Sequence, residues 1–267
     1  MPTLTSPDGT TIAYESRGDG PALVLTVGAF CDRNTVAPLA ALLADRYRVY
    51  TYDRRGRGGS GDTPPYAVDR EVEDLAAVIE ASGGPAPVYG HSSGAALALE
   101  GALHGLPITA LALYEAPYVV GGVTPPRDYI ERLTAFAEEG RRTEAVEYWL
   151  TSVVRAPAPA VQYLRSSPGW AGMEALAHTL AYDGAIMGDR SFGGPLPAQW
   201  ASMTLPTLVL GGANSPPPLQ QAVEALAALL PAARREAIPG ADHGCPPEVL
   251  APILARFFTE VLPGTSS

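Results

Sequence analysis

The chain has 267 residues, 46% of them hydrophobic and 17% charged, and a net charge of −10 at neutral pH. All 18 basic side chains are arginine and none sits in a run long enough to form a phosphate-binding stripe, so neither nucleic acid nor an anionic membrane is an expected partner. No window approaches roughly 18 uninterrupted apolar residues, the N-terminus lacks the basic and apolar regions of a signal peptide, and two cysteines, Cys31 and Cys245, are too few for a disulfide scaffold. A cytoplasmic protein with free thiols is the expectation.

In chain order, "TTIAYES" (10–16) follows a "PDGT" turn and reads as the second arm of a hairpin. "ALVLTV" (22–27) is a short apolar run bounded by Gly and Pro, as a buried strand should be. "VAPLAALLA" (36–44) has helical spacing, and "RVYTYD" (48–53) is rich in strand formers. "VDREVEDLAAVIEAS" (68–82) is amphipathic, with Val68, Val72, Leu75 and Ile79 on one side. "APVYG" (86–90), a small-residue helix "SGAALALEGALHG" (93–105) and "ITALALYE" (108–115) continue the alternation. From Pro117 to Ser202 the segments are helical and lack clear buried-strand runs. Alternation resumes with "LPTLVLGG", "LQQAVEALAALLP", "RREAIPG" and "PEVLAPILARFFTEVL", and the tail "PGTSS" is expected to fray. Repeated strand–helix units predict an α/β fold with a mainly parallel central sheet and helices on both faces. The division is a core of residues 1–116 and 203–267, with 117–202 as a helical cap inserted after the sixth strand.

The strongest chemical signal is "VYGHSSG", which holds Gly90-His91-Ser92-Ser93-Gly94 between a strand and a helix. A strand that turns into a helix within about two residues crowds its flanking side chains, and glycine at both flanks removes the clash. Ser92 is left at the apex as a nucleophile. The Ser93 amide lies at the helix N-terminus, where it can donate to a developing oxyanion. The plainer alternative is that both serines only cap the helix.

With "VLTVGAF", "YTYDRRGRGGSG" and "IPGADHG", this motif resembles the α/β-hydrolase fold family over nearly the whole chain. Within that family, "DRRGRG", "GHSSGAALALE" and "YEAPY" look most like small bacterial hydrolases. The resemblance implies that His243 is the base and that the second oxyanion amide follows the third strand, at Phe30 in preference to Ala29. It also makes Asp53, Arg55, Gly56, Gly58 and Ser60 a structural loop, in which Asp53 pairs with an arginine. His91 is expected to point away from the apex, and His104 to interact with the end of its helix. Phe30, Cys31, His178 and Trp149 are the expected substrate contacts, and Cys31 and Cys245 lie on loops that should converge.

A base histidine is normally oriented by a carboxylate. The resemblance places that acid after the seventh strand, where Gly211-Gly212-Ala213-Asn214 supplies only an amide. Asn214 could orient the ring without offsetting its charge. Glu115, at the end of the sixth strand, is the preferred acid; Asp32, Asp183 and Asp189 have no support. The leading expectation is a serine hydrolase acting on an ester, thioester or lactone of a small apolar molecule, with no metal or organic cofactor. A lyase, cyclase or C–C bond hydrolase using His243 as base is the first alternative, and a ligand-binding protein with a retired site the second. Oligomeric state is left open.

Overall fold

The computed structural model describes residues 1–262; the tail expected to fray lies outside them. Eight strands form one sheet: β1 (Thr3–Thr5), β2 (Thr11–Arg17), β3 (Ala22–Thr26), β4 (Arg48–Tyr52), β5 (Ala86–His91), β6 (Ile108–Tyr114), β7 (Thr207–Gly212) and β8 (Ala233–Ile238). Their order is β1-β2-β4-β3-β5-β6-β7-β8, antiparallel at β1–β2 and β2–β4 and parallel elsewhere. The central strands are apolar throughout because both faces are covered.

On one face, α1 (Arg33–Leu43) and α10 (Pro247–Val261) bury Val36, Leu39 and Leu43 with Leu250, Leu254 and Phe258. On the other, α2 (Val68–Ala81), α3 (Ser93–Leu103) and α9 (Pro217–Leu229) bury Leu75, Ile79, Leu97, Val223 and Leu226. Helix α1 starts earlier than its apolar periodicity predicts. Asp32 accepts from the Asn34 and Thr35 amides, and Thr35 Oγ1 accepts in return from the Asp32 amide, a capping box. Helix α2 carries Glu71 and Asp74 on its buried side, where each accepts a two-pronged bond from a buried arginine of the loop after β4.

Between β6 and β7 the described residues form helices and no strand: α4 (Tyr129–Glu138), α5 (Arg142–Tyr148), α6 (Ala158–Ser166), α7 (Trp170–Ala175) and α8 (Leu180–Met187), with short 3₁₀ turns. Helix α5 runs directly into a π-turn over Trp149–Val153. This helical segment has its own apolar cluster, built on Tyr129, Leu133, Val146, Leu150, Trp170 and Leu180. Phe30 and Trp149 sit partly buried at its edge.

Candidate active site

Four loops at the C-terminal ends of the parallel strands meet at Ser92. In an open α/β sheet this is where ligands bind, because the loops there are free of the crossover helices' packing. Ser92 itself is the residue between β5 and α3, with φ of 56° and ψ of −126°. The turn is tight enough that a Cβ on Gly90 would stand 2.5 Å from Ala95 Cα, and one on Gly94 2.7 Å from Val27 O. The Ser92 amide donates to Tyr114 O of the neighbouring strand at 2.8 Å, which fixes the elbow against β6.

His243 follows β8 and faces Ser92, with Nε2 3.2 Å from Ser92 Oγ. Its Nδ1 lies 2.6 Å from Glu115 Oε2. A carboxylate only accepts, so Nδ1 carries the proton, and Nε2 is the free acceptor for the serine hydroxyl. The His243 side chain is 41% exposed and Ser92 is partly exposed, whereas the Glu115 side chain is fully buried.

Glu115 reaches the histidine across the end of β7. Its Oε1 accepts from the Gly212 amide at 2.7 Å and from Ser215 Oγ at 2.5 Å. The glycines make room for this. A Cβ on Gly211 would sit 3.4 Å from Glu115 Oε1, and one on Gly212 2.5 Å from Ala241 O in the His243 loop. Burial pushes the Glu115 carboxyl up, but the bonds from His243, Ser215 and Gly212 outweigh it and hold the group below its ordinary range. Asn214 is exposed; its backbone amide donates to Ala241 O at 2.9 Å, and its side chain makes no bond to His243 among the described residues. Ser215, one residue further on, was missed by sequence reasoning; the "GG" doublet before it is the only local signal.

Phe30 follows β3 with φ of 59°. Among the described residues, neither its amide nor that of Ser93 donates to a protein acceptor. Among the described residues, Phe30, Ser92 and Glu115 are three of the four non-glycine residues with positive φ. Such strain persists only where the surroundings enforce it, and it gathers at functional sites.

The ring of His91 lies 4.8 Å from that of His243, and its Nε2–H donates to His243 O at 2.9 Å. Burial and the neighbouring His243 charge lower its pKa to about 4. His178, expected at the substrate, donates from Nε2 to Gly56 O at 2.8 Å and so ties the helical segment to the loop after β4. Cys31 and Cys245 both pack, partly buried, against the core under α1 and α10. Phe30 and Trp149 do meet, edge to face at 6.5 Å. Asp53 pairs with Arg33, His104 bonds the Glu100 carbonyl at its helix end, and Asp242 accepts from the Gly244 amide. Among the described residues no group of three or more His, Cys, Asp or Glu is placed to hold a metal ion, and no helix is long and apolar enough to cross a membrane.

Residues 23–251 match the profile of the Alpha/beta hydrolase family. The chain is similar to a solved alpha/beta hydrolase from Sphaerobacter thermophilus, at 49% identity and a TM-score of 0.91 over 97% of this chain and 100% of that one. It also resembles the curated hydrolase YraK of Bacillus subtilis, 36% identical over 37% of each chain. A third relative is a pimeloyl-[acyl-carrier protein] methyl ester esterase of Xanthomonas campestris, 38% identical over 43% of this chain and 44% of that protein. The chain therefore matches less than half the length of these two curated relatives.

Proposed function

Because the chain belongs to the alpha/beta hydrolase family, we propose that it is a serine hydrolase cleaving an ester, thioester or lactone of a small, uncharged, apolar molecule. The observation that carries this reading is the hydrogen-bonded line from Glu115 through His243 to Ser92, anchored on three separate strand ends. Ser92 Oγ attacks the carbonyl carbon while His243 Nε2 takes its proton. The amides of Phe30 and Ser93 receive the negative oxygen. The tetrahedral adduct collapses as His243 returns the proton to the leaving group. Water, activated by the same nitrogen, then releases the acid and restores Ser92. Glu115 keeps the imidazole in the required tautomer and offsets the positive charge it acquires.

Two observations support an apolar, uncharged acyl group. Phe30 and Trp149 supply aromatic edges beside the nucleophile's loop. Arg54, Arg55 and Arg57 are buried and bonded to internal carboxylates, so they offer no charge to an anionic substrate. The partial likeness to a methyl ester esterase supports an ester over other acyl groups.

The test is labelling with a fluorophosphonate probe alongside hydrolysis of a short activated ester such as p-nitrophenyl butyrate. Ser92→Ala is expected to abolish both, and His243→Ala to lower turnover by about 10⁴ or more. Ester turnover that survives Ser92→Ala would overturn the assignment of Ser92 as nucleophile. A protein that neither labels nor turns over the ester would overturn the serine-hydrolase reading and leave a lyase, a cyclase or a ligand-binding protein.

A methyl at Gly28 is expected to disturb the same nucleophile. Its Cβ would stand 2.7 Å from Ser92 Cβ and 3.2 Å from Ser92 Oγ. Gly28→Ala should lower kcat by ~10²-fold, the order expected when a reacting group moves by about an ångström. The overpacking should cost about 1–3 kcal/mol of stability. Thermal melting with steady-state kinetics checks both, and an unchanged kcat would contradict the close approach.

A further inference from the structure

Asp183, on α8 of the helical segment, is fully buried between two guanidinium groups of the loop after β4. Its Oδ1 accepts from Arg54 Nη1 at 2.8 Å, from Arg57 Nη2 at 2.8 Å and from Ser93 Oγ at 2.6 Å. Its Oδ2 accepts from Arg57 Nη2 at 2.9 Å. The arginines in turn hold the strand that leads to Phe30. Arg54 Nη1 donates to Val27 O at 3.2 Å, and Arg57 Nη1 donates to Gly28 O at 2.5 Å and Cys31 O at 3.2 Å. Arg54 is completed by Glu71, which takes its Nε and Nη2 at 2.7 Å each. Two buried cations thus face two buried anions.

We infer that Asp183 is a positioning residue for the oxyanion hole, acting on both of its backbone donors at once; this rests on the serine-hydrolase reading above. One arm runs through Arg57 to the carbonyls on either side of Ala29 and Phe30. With Arg54 on Val27 O, these bonds engage three carbonyls of the loop, while the Phe30 amide, at its positive φ, donates to no protein acceptor among the described residues. The other arm is direct: the Ser93 hydroxyl bonds the carboxylate, which fixes the first turn of α3 and with it the Ser93 amide. Asp183 touches no reacting atom. It belongs to the helical segment, 90 residues from Ser93 in sequence, so the core alone does not complete the donors' support.

The arrangement has the properties positioning requires. Burial alone would raise the Asp183 carboxyl, but Arg57 and Arg54 override it and keep the group ionised below its ordinary range. Charge-assisted bonds to a buried carboxylate are short and directional, so they resist small rotations of the loop. Preorganised donors matter because they cost no reorganisation as charge develops.

The experiment compares wild type, Ser93→Ala and Asp183→Asn by two readouts, each on protein shown to be folded by melting. One is kcat and KM on p-nitrophenyl butyrate. The other is inhibition by an aryl trifluoromethyl ketone: Ser92 Oγ adds to the free ketone carbon, its proton passes to His243, and the resulting hemiketal places an oxyanion in the hole. Asp183→Asn is expected to lower kcat by ~10²-fold, as for the loss of one oxyanion donor, with KM changed less than about threefold. Ser93→Ala, which leaves every ion paired, should lower kcat by ~10-fold by loosening one donor. In both, the inhibition constant should rise by the factor by which kcat/KM falls, since both report transition-state binding. A merely structural role would lower the melting temperature and the active fraction while leaving kcat per labelled site and the inhibition constant intact, and that outcome overturns the inference. Because Asp183→Asn leaves buried arginines undercompensated and is at risk of not folding, Ser93→Ala alone suffices: folded and equal to wild type in both readouts, it too overturns the inference. Failure of wild type itself to be inhibited or to turn over would instead overturn the serine-hydrolase reading.

Discussion

Glu115→Gln is expected to lower kcat on an activated ester by about 10³–10⁴-fold, while Asn214→Ala stays within about twofold of wild type. The amide of glutamine could still fill the space and accept from Gly212. It would no longer stabilise the imidazolium that His243 becomes in the transition state, and it could present a donor to Nδ1 and so favour the wrong tautomer. A loss of that size corresponds to roughly 4–5 kcal/mol of barrier. Asn214 has no comparable part because its side chain is exposed and only its backbone amide is engaged. Measuring both variants on one substrate decides the matter. A large loss from Asn214→Ala with a mild one from Glu115→Gln would return the orienting role to the loop after β7.

The second large effect is on acid stability, through His91. Its imidazole stays neutral in the fold until about pH 4, held there by burial and the nearby His243 charge, against an ordinary 6.5. Below pH 6.5 the unfolded chain therefore takes up a proton that the folded one refuses. Stability falls as pH drops from 6.5 to about 4 and this contribution then levels off. The gap between those values is worth roughly 3 kcal/mol, a large share of the 5–15 kcal/mol typical of a domain. His91→Gln keeps an N–H for the His243 carbonyl and does not titrate. Urea unfolding at pH 7 and pH 4.5 should show the variant losing roughly 2–3 kcal/mol less than wild type over that interval. Carboxylates held low, Glu115 and Asp183 among them, lose stability on acidification in both proteins and cancel in the comparison. Equal losses in the two proteins would refute the assignment.

What could be read from the sequence divides along physical lines. The elbow at Gly90–Gly94 was legible because a backbone turn that tight admits few side chains, so its chemistry is local. Glu115 was legible as a candidate because it ends an apolar run on the strand paired with the elbow strand, where His91 and Tyr114 stand in register. That it reaches His243 depends on two glycines at the end of β7 and Ser215 in the turn after it, about 100 residues away. The buried arginines were opaque for a different reason. Burying a charge is unfavourable by itself, and only the partners justify it. Those partners, Glu71 on an amphipathic helix and Asp183 in a segment with weak periodicity, read as surface carboxylates when taken alone. The partner of His91 was opaque because it is a backbone carbonyl, that of His243, on a loop 152 residues away.

The three left-handed residues at Phe30, Ser92 and Glu115 have a consequence for anyone who evolves this protein. Each such conformation costs on the order of 1–3 kcal/mol for a residue with a side chain, and glycine at the same place would relieve most of it. The most stable sequence for this backbone is therefore not the most active one. A library selected for heat tolerance or expression alone is drawn toward replacing the proposed acid, the proposed nucleophile and the oxyanion-loop aromatic, and it would report success while discarding the chemistry. Only a screen that couples survival to turnover holds these positions in place.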